Sequence, residues 1–111
     1  MTRPLAILWT VAIVVACLVP GNELPEVTLL PFSPDKLVHL AMFLGFGGLW
    51  MAVDPRHWLR VAVAGAVLGI GIELVQGALP IGRSADPLDA LADLVGLGLG
   101  IGLAAWTRRT A

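Results

Sequence analysis

Four long apolar stretches, separated by short breaks rich in proline or charge, set the pattern of the chain. The first follows Arg3 and runs without a charge to Pro20. The break after it, 20–35, holds Pro20, Pro25, Pro31 and Pro34 with Glu23 and Glu26, and proline has no amide donor to carry a helix through. Ser33-Pro34-Asp35 then reads as a helix start, with Ser33 as cap, Pro34 at the first position and Asp35 in the first turn. A polar hairpin follows at 54–60, and a second loop at 80–87 carries Arg83 and Asp86. The pattern predicts helices over about 4–20, 34–53, 59–79 and 86–106.

Composition changes the environment assigned to these helices. Of the 111 residues, 58% are hydrophobic and 14% charged. A soluble domain carries roughly 25% charged residues. This chain therefore has too little charge to cover a surface facing water, and the reading is a single domain of the all-α class, an integral membrane four-helix bundle. A net charge of −1 offers no basic face for nucleic acid, and Arg and Lys are too scattered for a polybasic lipid patch. One cysteine rules out an intrachain disulfide. Val14-Val15-Ala16-Cys17 is a loose match to a lipoprotein cleavage site, but more apolar helix follows instead of a polar tether, so Cys17 reads as a small residue within a helix. The first stretch could be a secretory signal, and equally a short span; the membranous remainder favours a retained helix.

Basic residues orient the bundle. Arg3, Arg56, Arg60, Arg108 and Arg109 fall at one end, Lys36 and Arg83 at the other. The richer end is expected in the cytoplasm, which places both termini there. Trp9, Trp50, Trp58 and Trp106 fall at or toward the same end, as an interfacial belt would.

A separate set of polar residues gathers at the outer end. His39 lies one turn into the second helix, Glu73 and Gln76 in the last turns of the third, Asp89 and Asp93 in the first turns of the fourth. Lys36, Arg83 and Asp86 flank them. A charge in lipid costs roughly 2.5–3.5 kcal/mol on the insertion scale, so these groups are expected to face one another. Their spacing agrees: Gly65, Gly69, Glu73 and Gln76 share one helix face, Asp89, Asp93, Gly96 and Gly100 another, and His39, Phe43 and Gly47 a third. Each face is polar toward the outside and mostly small-residue toward the inside, which predicts a tight inner half and a polar pocket at the outer half. Asp86 and Asp89 also suit a helix N-terminus. Glu73, near a C-terminus, has no such local reason, and must pair with Arg83, Lys36 or His39 or be protonated.

Asp35-Lys36-Leu37-Val38-His39, then Glu73-x-x-Gln76, Pro80-x-Gly82-Arg83 and Asp86-x-x-Asp89-x-x-x-Asp93-x-x-Gly96, in this order at helix ends, resemble the VanZ-like family of bacterial membrane proteins. The resemblance covers roughly 35–102 and departs at Asp93, where the family pattern usually has Asn. It implies a multi-pass protein of the bacterial inner membrane, part of the cell envelope. The family's namesake is associated with low-level resistance to the glycopeptide teicoplanin, a property that does not carry over to this chain.

Three functions compete on the residues alone. The first is binding of an envelope lipid or glycan-precursor head group, with Lys36, His39, Glu73, Gln76, Arg83, Asp86, Asp89 and Asp93 lining the site. The second is an intramembrane hydrolase or transferase on a lipid-linked substrate, with His39, Glu73 and Asp93 as acid and base, although no nucleophile motif is present. The third is a cation or proton-linked site; the ligand spacing matches no dedicated metal motif, so no metal or other cofactor is assigned. Transport would require so small a chain to form a homo-oligomer.

Overall fold

The computed structural model describes residues 2–19, 34–80 and 87–110. These form four helices: α1 (Thr2–Leu18), α2 (Pro34–Val53), α3 (Trp58–Ala78) and α4 (Pro87–Thr110). There is no strand among the described residues. Three stretches, Lys36–Val53, Trp58–Ala78 and Pro87–Arg108, are long and apolar enough to cross a membrane, while α1 has 17 residues and is shorter.

Proline sets three of the helix ends. Pro20, Pro55 and Pro80 each push the preceding residue out of the helical region, so α1, α2 and α3 stop two residues before a proline. Leu79 shows the effect directly, with φ −91° and ψ 145°. This is why α1 and α3 end slightly earlier than their apolar runs. At its other end the chain does the opposite. No Gly or Pro follows Trp106, and α4 continues to Thr110. Basic residues there suit the negative end of a helix.

The bundle is polar inside and apolar outside at one end, the reverse of a water-soluble fold. Leu37, Val38, Val67, Ile70, Leu74, Leu91 and Val95 are exposed, while His39, Glu73, Gln76 and Asp93 are buried. This distribution suits a protein whose solvent is lipid. The face predicted for α3 is the buried one, with Val61, Gly65, Gly69, Glu73 and Gln76 all inside.

Parallel α2 and α4 make the closest approach. A Cβ at Gly96 would fall on the Leu40 carbonyl oxygen, and one at Gly100 on that of Leu44. From the other side, a Cβ at Gly47 would lie 2.8 Å from the Leu97 carbonyl oxygen. The two backbones touch because the side chains between them are missing, as in other small-xxx-small membrane pairs. α3 seats Gly65 against the Leu97 side chain, where a Cβ would come within 2.5 Å.

α1 packs through one buried face and through indole hydrogen bonds. Ala6, Ile13 and Cys17 are buried along one face. Trp9 donates from Nε1 to the Met42 carbonyl at 2.8 Å, and Trp50 donates to Thr10 Oγ1 at 2.9 Å. So two of the four tryptophans expected in an interfacial belt also tie α1 to α2. Trp58 and Trp106 are exposed.

The contrast between two glycines of α4 tests the packing. Gly100→Ala is expected to lower stability in detergent by about 1–3 kcal/mol, because the added methyl meets a backbone oxygen that cannot turn away. Gly98→Ala has nothing within 4 Å and should be neutral or slightly stabilising. Equal melting of the two variants would contradict the α2–α4 contact.

Candidate functional site

The glycine contact fixes what lies one turn above it. Leu40 and Gly96 meet at the backbone, so His39 and Asp93 face each other across the same pair of helices. His39 donates through Nδ1 to Asp93 Oδ1 at 2.7 Å. Its other ring nitrogen, Nε2, lies 4.0 Å from Asp89 Oδ2. Lys36, one turn further out, donates to Asp89 Oδ1 at 3.2 Å. Two parallel helices thus present a ladder: Lys36 and His39 on α2, Asp89 and Asp93 on α4.

Burial deepens along this ladder. Lys36 and Asp89 are partly exposed, whereas His39 is 4% and Asp93 1% exposed. An ion pair at the outer rung contributes modestly, about 0–1 kcal/mol. The inner rung is different, because a polar group left buried without a partner costs more, about 1–3 kcal/mol, than a made bond returns. Phe43, fully buried on the next turn of α2, lies with Asp93 against Gly69.

α3 completes the site. Glu73 is 5% exposed, and ligand-type atoms of His39, Glu73 and Asp93 all lie within 4.8 Å of one another. Gly69 makes room for Asp93: a Cβ there would lie 3.2 Å from both Cβ and Oδ2 of the aspartate. Asp93 Oδ2 itself is buried and accepts no hydrogen bond. Gln76, 2% exposed, turns to α1 and donates to the Cys17 carbonyl at 2.7 Å.

The structure therefore brings together Lys36, His39, Glu73, Asp89 and Asp93, and uses Gln76 to anchor α1 beside them. Arg83 and Asp86 lie outside the described residues. Lys36, offered from sequence only as a partner for Glu73, donates to Asp89. Two participants were not singled out from sequence. Gly69 had only its place on the face of Glu73 as a signal. The Cys17 carbonyl had none, since a backbone oxygen in a helix leaves no trace in residue type.

These features define a helical membrane protein with an ionisable cluster buried between its helices. A family model described as VanZ/LLP1 matches residues 4–108, and the chain belongs to that family. Comparison with curated proteins gave no match, and comparison with solved structures gave none.

Two substitutions separate the roles of the inner pair. His39→Ala removes the donor to Asp93 and should cost about 1–3 kcal/mol in a detergent unfolding titration. Asp93→Asn keeps an oxygen for His39 to donate to and should melt within a few degrees of the wild type. A wild-type melting curve for His39→Ala would show that the hydrogen bond has no role in stability.

Proposed function

We propose that this protein is a multi-pass protein of the bacterial inner membrane. In this reading both termini are cytoplasmic, and the polar end of the bundle binds the head group of an envelope lipid or a glycan precursor. One observation carries the reading: the ionisable cluster grades from the part-exposed Lys36–Asp89 pair to the buried His39, Glu73 and Asp93. A single polar side chain that hydrogen-bonds across helices already serves as glue. This end assembles far more, with a rim that a head group can reach and a base that fixes its position. Lys36 and Arg83 supply cations for a phosphate, and Asp86 and Asp89 accept from an amine, hydroxyl or amide of the same head group. The apolar outer faces of the helices admit the acyl or prenyl chain alongside.

A second reading rests on the His39–Asp93 bond. An imidazole oriented by a buried carboxylate is the arrangement a general base requires. Such a protein would hydrolyse a lipid-linked substrate with an activated water, or transfer its group to an activated hydroxyl of a second substrate.

Thermal unfolding in detergent, with and without extracted envelope lipid, tests the first reading. Wild type is expected to gain several degrees with lipid, and Arg83→Ala and Glu73→Gln to fold but lose that gain. If lipid moves none of the three, the cluster holds helices together and binds no head group. A product released from the lipid by wild type and not by Glu73→Gln would favour the second reading.

A further inference from the structure

The geometry points to a divalent transition-metal site formed by His39, Glu73 and Asp93. The three residues come from three helices, which is why no local ligand spacing announces them. One nitrogen and two carboxylate oxygens already lie within 4.8 Å of one another. Ligand atoms around a first-row ion at about 2.0–2.2 Å sit roughly 3–4 Å apart, so only a small contraction is needed.

Three independent features favour an ion. The first is charge. Two buried carboxylates and a neutral imidazole match a divalent cation in charge and in donor type. The second is the open valence of Asp93. Its Oδ2 is buried, accepts no hydrogen bond, and sits beside Gly69, where any side chain would crowd it. The third is the support of the imidazole. Nδ1 is turned toward Asp93, and Nε2 lies 4.0 Å from Asp89 Oδ2. At that distance Asp89 makes no hydrogen bond to the ring, but a small approach would let it accept from Nε2–H, the contact that fixes the tautomer of a metal-binding histidine. Lys36 in turn holds Asp89 at 3.2 Å. When the ion takes Nδ1, the single proton of the neutral ring passes from Nδ1 to Nε2, on the side of Asp89, and the ring stays neutral.

Imidazole with two carboxylates suits Zn²⁺ or Mn²⁺, and the order of divalent affinities places Zn²⁺ above Mn²⁺. Three protein ligands leave a coordination position open. The ion needs no lipid to bind, so the site stands apart from the head-group reading; an oxygen ligand at the open position is where the two would meet.

The test uses the full chain in detergent, delipidated, stripped with chelator and titrated with ZnCl2, MnCl2 or CoCl2. Metal bound per chain is measured by mass spectrometry, and Co²⁺ coordination by visible absorption. Wild type is expected to hold about one Zn²⁺ per chain and to melt higher with it. Asp93→Asn and Glu73→Gln keep the shape of the site and should weaken binding at least about tenfold; Asp89→Asn, acting through His39, should weaken it by about tenfold or more. His57→Ala removes the exposed His57–Asp54 pair at the far end of the bundle and should change nothing. Equal Zn²⁺ retention by wild type and Asp93→Asn, or loss only in His57→Ala, would overturn the assignment. Because no lipid is present, either result leaves the head-group reading to its own test.

Discussion

Backbone contact between α2 and α4 controls the geometry of everything above it. Gly96 and Gly100 leave the Leu40 and Leu44 carbonyl oxygens where side chains would otherwise stand. Helices in lipid gain nothing from hiding apolar surface, so close van der Waals packing has to hold them. Two helices this near and parallel bring matching turns into register. Lys36 meets Asp89 and His39 meets Asp93 as a consequence, at 3.2 Å and 2.7 Å. The polar ladder is the continuation of the glycine seam, one turn at a time.

The seam also explains why charges survive inside the bundle. Each polar group must find its partner within the protein, since the surrounding medium offers none. Helical geometry supplies partners in pairs along the ladder, and α3 adds Glu73 from a third side. Gln76 is spent on a different task, holding the end of α1 through the Cys17 carbonyl. Phe43, one turn on from His39, belongs to the apolar core cluster that continues toward the other end.

Membership in the VanZ/LLP1 family covers the first helix as well as the three longer ones, since the match begins at residue 4. α1 is short for a span, yet it is bound to α2 by Trp9 and Trp50 and to α3 by Gln76. Its buried face, Ala6, Ile13 and Cys17, makes it part of the bundle rather than an appendage. The head-group and metal readings both draw on the far end of this assembly, where the helices meet the loops that carry Arg83 and Asp86.

Much of this architecture was legible in the order of residues. Apolar runs and prolines located four helices, and three of their ends follow from the residue before a proline being forced out of the helix. Periodicity placed Gly65, Gly69, Glu73 and Gln76 on the inner face of α3, and the structure buries all four. Periodicity acts within one helix, however, and carries no record of rotation or height relative to the next. Which carboxylate would meet His39, and which would meet Lys36, depended on how closely two backbones could approach. That was fixed only when Gly96 and Gly100 met the carbonyls of α2, because contacts between helices are set by shape across the bundle and not by spacing along the chain.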